Sequence, residues 1–316
     1  MNRREFIIKT AFALGGAAEG LTAPPGLRGY WKEGKRLPYL VSLCDVSLRR
    51  ALSRKKVRYL DLPRVVRERF GLEALELSTR FFSERINDPG FFDELAGRAK
   101  ASSVRLLVLA VDEDLDLTHP DAGKRGKAAA RVIRWAEVAK RLHCHSVMVK
   151  LGALRAEDPG RELTRVAAIL RALAEGVGRC GLNLAVANDG GLSSHGKWMA
   201  ALIRKVGRPN CGAALDVGNF TIAKGRKYDP YRGASELAPY TKAVRATMRD
   251  FDEKGEERSI DYERMMRIVV RARYHGFVGI CYVGQRLSEE DGILAGKRLL
   301  ERVRAKIDRE AKKAGK

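Results

Sequence analysis

Three side chains that could move protons follow short apolar runs in the middle of the chain. Asp216 comes directly after Cys211–Leu215, Asp189 follows Leu182–Ala187 by two positions, and Lys150 comes directly after Ser146–Val149. Removal of a proton next to a carbonyl needs a positioned base, and the oxygen that gains charge needs a cation or strong donors. The two carboxylates and the ammonium could supply both, so these three are the candidate catalytic residues.

Other polar side chains stand in comparable positions, after apolar runs or in the loops that follow them. The candidate ligand-binding residues are Arg80, Asn188, His195, Asn219, Arg249 and Asp250. Whether Lys150 and Arg249 point into a pocket or outward at its rim is left open by the sequence.

The elements that must position these residues repeat one pattern, a short run rich in Val, Leu and Ile and then a segment with helical periodicity. The strand-like runs are Tyr39–Cys44, Ala74–Leu77, Val104–Val111, Ser146–Val149, Leu182–Ala187, Cys211–Leu215, Ala243–Thr247 and Phe277–Tyr282. Eight such units predict an α/β fold, a single (β/α)8 TIM barrel. An open doubly wound sheet is the alternative, but no GxGxxG follows the first strand. In a barrel the carboxyl ends of the strands share one face and carry the chemistry. Ser193 and Ser194 are predicted to cap the helix after the fifth strand.

The strand ends of this chain resemble those of the sugar phosphate isomerase/epimerase family, whose fold is the xylose isomerase-like TIM barrel. The resemblance runs from about residue 40 to 302, and the similar segments are Ser42–Ala51, Asn188–Ser194, Leu215–Phe220, Asp250–Glu253, Met265–Met266 and Tyr274–Ile280. It implies a barrel that isomerises or epimerises a sugar or sugar derivative.

The same resemblance implies a divalent metal, held by Glu on the fifth strand, Asp on the sixth, a His or similar group on the seventh and Glu on the eighth. At these positions the chain has Ala187, Asp216, about Thr247 or Arg249, and Cys281. Only Asp216 could then be a metal ligand, and one carboxylate does not hold a divalent ion against water. We therefore expect no cofactor or a weakly bound divalent metal, and Lys150 could occupy the metal's position beside Asp216.

Two functions follow from these observations. In the first, the protein is an isomerase or epimerase that uses Asp216, Asp189 and Lys150 with an altered or absent metal. In the second, it is a non-catalytic barrel that binds a carbohydrate or an anion. For such a binding protein, the candidates that could stack on a sugar are Phe81, Phe82, Trp198, Tyr228 and Tyr231.

Two other chemistries are weakly supported. A Cys281–His195 nucleophile lacks an identifiable oxyanion donor. The AP-endonuclease branch of the same fold needs several zinc ligands, and the expected active face carries a single His.

Composition limits the partners. Sixty-one Lys and Arg against 39 Asp and Glu give a net charge of +22, but the basic residues are spread along the chain. This distribution favours a solvated surface, so we expect a small sugar-like or anionic ligand and no nucleic acid. No stretch reaches the roughly 18 apolar residues of a membrane-spanning helix, and the five Cys contain no CxxC pair. The sequence does not indicate an oligomeric state.

The first residues resemble a twin-arginine export signal, with Arg3 and Arg4 followed by Phe6, Ile7 and Lys9. We expect residues 1–25 to direct export by the twin-arginine route, which would leave the protein periplasmic or attached to the membrane through an uncleaved signal. The barrel is expected over residues 38–302, and residues 303–316 as the basic end of the last helix.

Overall fold

The computed structural model describes residues 37–152, 154 and 158–314. The predicted signal at residues 1–25 lies outside these residues. The strands are β1 (Leu40–Cys44), β2 (Ala74–Ser78), β3 (Arg105–Ala110), β4 (Ser146–Val149), β5 (Asn183–Ala187), β6 (Cys211–Asp216), β7 (Thr221–Ala223), β8 (Arg226–Lys227), β9 (Thr241–Met248) and β10 (Phe277–Tyr282). All eight apolar runs form strands.

Eight parallel strands close into a barrel in the order β1-β10-β9-β6-β5-β4-β3-β2, which confirms the predicted TIM barrel. The strands β7 and β8 form a separate antiparallel hairpin after β6, so the seventh and eighth barrel strands are β9 and β10. Closure is made by β1 against β10, with Leu43 opposite Ile280. Because helices cover the outside and side chains fill the inside, these strands are apolar along their length rather than alternating.

Helices alternate with the strands. They are α1 (Arg49–Ser53), α2 (Leu62–Phe70), α3 (Pro89–Ala101), α4 (Ala122–Arg141), α5 (Pro159–Arg179), α6 (Gly196–Val206), α7 (Pro230–Leu237), α8 (Tyr262–Arg271) and α9 (Glu289–Ala314). Proline begins α3, where its missing N–H costs nothing, and the Asp88 carboxylate accepts a hydrogen bond from the Phe91 amide at 3.0 Å. Gly71 ends α2 with a φ of +60°, which favours glycine.

The predicted cap of the helix after β5 was wrong by one residue. Ser193 and Ser194 belong to a short 3-10 turn, Gly191–Ser194, and the residue that precedes α6 is His195. Its Nδ1 accepts from the Trp198 amide at 3.4 Å. An imidazole nitrogen can take the place of a serine oxygen there because either atom can accept a hydrogen bond from a free amide of the first turn.

The layer between strands and helices is packed with large side chains. Trp135 of α4 is fully buried, with its ring 5.8 Å from Phe82 and 6.2 Å from Phe92. Phe82 is therefore part of the core and not a sugar-stacking wall. Within the described residues, the helices are too short or too polar to cross a membrane.

Candidate functional site

A cavity of about 210 Å³ opens at the carboxyl ends of the barrel strands. Its lining residues are Val46, Arg49, Arg80, Asp112, Met148, Lys150, Ala187, Asn188, Asp189, Ala214, Asp216, Asn219, Arg245, Thr247, Arg249, Cys281 and Val283. Five cationic side chains and three carboxylates line it, a formal excess of two positive charges. Its volume is below that of typical drug-sized pockets, which indicates a small ligand.

Lys150 points into the cavity and joins two carboxylates. Its Nζ lies 3.0 Å from Oδ1 of Asp112 and 3.3 Å from Oδ2 of Asp189. Asn219 donates to the other oxygen of Asp189 at 2.9 Å, and Arg80 forms an ion pair with Asp112. These contacts show that Lys150 points inward and not outward at the rim. They place its ammonium at the centre of a charged cluster.

These contacts fix the charges of the cluster. Burial lowers the pKa of Lys150, but Asp189 and Asp112 outweigh it, so the pKa lies above its usual value and the ammonium is protonated at neutral pH. Burial also raises the pKa of Asp112, and the bonds from Arg80 and Lys150 outweigh that effect and lower it. The cluster therefore contains a cation that stays charged at neutral pH and donates hydrogen bonds to carboxylates.

Asp216 lies in a separate arrangement and not beside Lys150. Its Oδ2 accepts from the Thr247 hydroxyl at 2.7 Å and its Oδ1 from the Gly218 amide at 3.1 Å. The buried side chain of Asn188 holds the backbone of Asp216, with its Oδ1 2.8 Å from the amide and its Nδ2 2.8 Å from the carbonyl. Burial raises the pKa of Asp216 despite the Thr247 bond. The expectation that Lys150 lies beside Asp216 was wrong, because the Lys150 ammonium pairs with Asp112 and Asp189 instead.

The donors around Asp216 do not fit the metal that the resemblance implies. The Ala187 side chain has no atom that could bind a metal, and the Thr247 hydroxyl donates a hydrogen bond to the Asp216 carboxylate. The Cys281 thiol lines the cavity, with its pKa lowered by a hydrogen bond with Cys44 and by Arg245 against the effect of burial. Across residues 37–152, 154 and 158–314, no three His, Cys, Asp or Glu side chains are grouped as metal ligands.

The other predicted ligand-binding residues divide between the cavity and the rim. Arg80, Asn188 and Asn219 line the cavity, and Arg249 lines it from an exposed position. His195 and Asp250 are not among its lining residues.

Local partners account for the two exceptions. The His195 ring lies 4.5 Å from the Tyr228 ring and is tilted by 48° to it, and Asp250 is paired with Arg286 at 3.0 Å and Arg258 at 3.4 Å. A Cys281–His195 nucleophile is therefore not assembled.

The aromatic residues considered for sugar stacking lie elsewhere. Phe81, Phe82, Trp198, Tyr228 and Tyr231 are absent from the cavity lining. Trp198 is buried and its Nε1 donates to the carbonyl of Pro159 at 2.9 Å, while Tyr231 lies under the guanidinium of Arg264. Within the described part of the chain, the lining of this cavity contains no aromatic side chain.

Sequence reasoning missed two arginines of the site. Arg49 lies in α1 after the first strand, and it donates to the carbonyls of Tyr282 at 2.9 Å and Val283 at 3.0 Å. Arg245 lies inside β9, two residues before the strand end that the prediction considered. The signal for Arg245 was present in the sequence as an arginine within an apolar strand. A charged side chain is buried in such a strand only when it is paired or functional.

Comparison with the curated proteins gives no match by sequence. Solved structures are similar in fold. A xylose isomerase domain protein from Planctomyces limnophilus is 13% identical, with a TM-score of 0.60, over 75% of this chain and 90% of that one. The probable 3-DHS dehydratase AsbF from Bacillus anthracis is 16% identical, with a TM-score of 0.63, over 83% and 98%. A D-psicose 3-epimerase from Clostridium cellulolyticum, solved with D-tagatose, is 15% identical, with a TM-score of 0.58, over 80% and 92%.

The family model described as a xylose isomerase-like TIM barrel matches residues 66–303, about three quarters of the chain. This match covers the strands from β2 to β10 and every lining residue of the cavity except Val46 and Arg49. The chain therefore belongs to the xylose isomerase-like TIM barrel family.

Proposed function

We propose that the protein is a sugar isomerase or epimerase that acts on a small sugar derivative without a divalent metal. The observation that carries this proposal is the Lys150 ammonium, held in the cavity at 3.0 Å from Asp112 and 3.3 Å from Asp189. A fixed cation beside a carboxylate supplies the two functions that a metal and its neighbouring base would supply.

In the proposed reaction, Asp189 takes a proton from the carbon next to a carbonyl. The C–H electron pair forms a carbon–carbon double bond, and the carbonyl oxygen accepts a proton from Lys150. Asn219 keeps Asp189 oriented through its 2.9 Å hydrogen bond. For the isomer, Asp189 returns the proton to the former carbonyl carbon, and the hydroxyl on the carbon that lost its proton gives its own proton to Lys150 and becomes the new carbonyl. For the epimer, water protonates the opposite face of the same carbon and the hydroxide that forms takes the proton from Asp189, while the oxygen that accepted a proton from Lys150 returns it.

A second function, a non-catalytic barrel that binds a sugar or an anion, is favoured by a different observation. The positions that correspond to the two family Glu residues hold Ala187 and Cys281. The excess of cationic groups around the cavity would still attract an anionic ligand.

Solvent exchange distinguishes the two functions. The protein is dialysed against EDTA and incubated in D₂O with D-tagatose, D-fructose or D-glucuronate, and deuterium at carbon is measured by mass spectrometry. The variants are Asp189→Asn and, as a matched control, Asp93→Asn, whose carboxylate pairs with Arg141 on the surface.

The metal-free reaction is supported if wild type and Asp93→Asn incorporate deuterium and Asp189→Asn does not. Incorporation that stops with EDTA and returns with a divalent ion contradicts it. Binding of a probe sugar by calorimetry without any exchange supports the second function.

We also propose that the protein is exported by the twin-arginine route. The support is the sequence around Arg3 and Arg4, since this segment lies outside the described residues. Replacement of both by Lys keeps the charge but removes the paired guanidinium groups. Export predicts that the unaltered chain fractionates with the periplasm or membrane and that the double variant stays in the cytoplasm. Equal fractionation of the two chains would contradict the proposal.

A further inference from the structure

The floor of the cavity contains a buried ion pair that the proposed reaction does not use. Nε of Arg245 in β9 lies 2.9 Å from Oε2 of Glu76 in β2. The side chains are 12% and 2% exposed, so both charges are largely removed from water. Burial of two charges is unfavourable unless close geometry and further hydrogen bonds offset the lost hydration.

A glycine makes room for the pair. Gly279 of β10 is in register with Arg245, between the arginine's strand and β1. A Cβ at this position would lie 2.2 Å from Oε1 of Glu76. The glutamate therefore reaches the guanidinium across the space that a side chain at position 279 would fill.

The contact with Glu76 occupies only one side of the guanidinium. Nε is the hydrogen-bonded atom, and within the described part of the chain neither Nη1 nor Nη2 of Arg245 has a hydrogen-bond acceptor. Neither Nη atom is among the buried polar atoms that lack a hydrogen-bond partner, and Arg245 lines the cavity. Two parallel N–H donors at the end of the guanidinium thus face the space where a ligand would lie, the geometry that matches a carboxylate or phosphate.

The other cations of the cavity are engaged or exposed. Lys150 and Arg80 are paired with carboxylates, and Arg49 donates to backbone carbonyls. Arg249 is exposed and its Nη1 is 3.4 Å from the Gly218 carbonyl. Arg245 is the preorganised donor at the floor.

Net charge also permits an anion. The lining holds five cations and three carboxylates, including Asp216, which is in register beside Arg245. With Glu76 counted as a fourth carboxylate, the excess is still one positive charge.

We propose that Arg245 binds an oxyanion of the ligand, a carboxylate or a phosphate, end-on through Nη1 and Nη2, and that Glu76 is the positioning residue that holds it. This inference rests on the proposed function only for the sugar part of the ligand. It implies that the substrate is a sugar acid or a sugar phosphate, bound with its anionic group at the cavity floor.

Calorimetry at constant ionic strength tests the site with the oxyanion alone and then with sugars. The probes are sodium acetate, sulfate and inorganic phosphate, followed by D-gluconate, D-glucose 6-phosphate and neutral D-glucose. Arg245→Lys keeps the charge but loses the paired donors, and Arg204→Lys, at an exposed position in α6, is the control. Circular dichroism confirms that each variant is folded.

The expected result is that Arg245→Lys raises the Kd of at least one simple oxyanion tenfold or more, while Arg204→Lys changes it less than twofold. Preference for D-gluconate or D-glucose 6-phosphate then identifies the anionic group. Oxyanion binding that depends on Arg245, with no affinity for any of the sugars, keeps this inference and rejects the proposed function. Oxyanion affinities that are equal in wild type and Arg245→Lys, or no oxyanion binding in wild type, overturn the inference.

The role of Glu76 is tested by Glu76→Gln, which keeps an acceptor for Nε but leaves the buried guanidinium without a counter-charge. A bound oxyanion then supplies that charge, so phosphate should raise the Tm of this variant more than it raises the Tm of wild type. An equal rise in both would assign Glu76 a structural role only.

Discussion

Replacement of Lys150 by Met should weaken ligand binding more than it weakens the fold. Methionine keeps much of the length of the side chain but removes the ammonium, which contributes one donor each to Asp112 and Asp189 and has a third available for a ligand. A hydrogen bond from a charged group is worth about 1.5–3 kcal/mol. Lys150 is 35% exposed, so solvent screening places the loss at the lower end of that range. We expect about a 10- to 30-fold rise in Kd.

The effect on stability should be smaller. Asp112 keeps its ion pair with Arg80, and Asp189 keeps its 2.9 Å bond from Asn219. Partly exposed ion pairs contribute up to about 1 kcal/mol each, so the free energy of unfolding should fall by roughly 1 kcal/mol.

Calorimetric titration with D-gluconate and D-glucose 6-phosphate measures the first quantity, and urea unfolding measures the second. Lys140→Met, at an exposed position in the last turn of α4, is the matched control. The reasoning is refuted if Lys150→Met binds a ligand of the wild-type protein with an unchanged Kd.

Three further predictions concern the fold that supports the site. Burial raises the pKa of Asp45 to about 7 despite hydrogen bonds from Tyr59 and Ser78, so its contribution to stability is complete below pH 4 and is lost as the pH rises through 7. Urea unfolding should therefore show about 2–4 kcal/mol less stability at pH 8 than at pH 4 from this group, and a pH profile unchanged in Asp45→Asn would exclude this origin. Trp135→Ala should lower the free energy of unfolding by about 3–5 kcal/mol, because the buried ring leaves a cavity; a loss below about 1 kcal/mol would contradict its place in the core. Gly284→Ala should cost about 1–3 kcal/mol, because the new Cβ would lie 1.8 Å from the Arg249 carbonyl oxygen, and a Tm equal to that of wild type would show that the loop moves freely.

The barrel itself could be predicted from the order of apolar runs. Ser146–Val149 and Phe277–Tyr282 are strands with the predicted bounds, and the others differ by one or two residues at one or both ends. The reason is that a parallel strand buried on both faces needs a continuous apolar run, and that requirement is local in sequence. The prediction that Ser193 and Ser194 cap α6 was wrong, because His195, an uncommon capping residue, provides the acceptor for the Trp198 amide.

The location of the site followed from the fold, since chemistry in a barrel lies at the carboxyl ends of the strands. Lys150, Asp189 and Asp216 were found in this way, and all three line the cavity. Which of them contact each other was not predictable, because partners such as Lys150 and Asp112 come from different strands and depend on side-chain direction and barrel curvature.

The sequence by itself determined the fold and the face that carries the cavity. Each of these depends on residue type at a position along one strand. The tertiary structure decided that Lys150 joins Asp112 to Asp189 and that Glu76 holds Arg245 at the cavity floor, 169 positions away in the chain. Such contacts exist only when the sheet closes, because closure places β2 beside β1 and β9 beside β10. Gly279 of β10, which has no side chain, then provides the space through which Glu76 reaches Arg245.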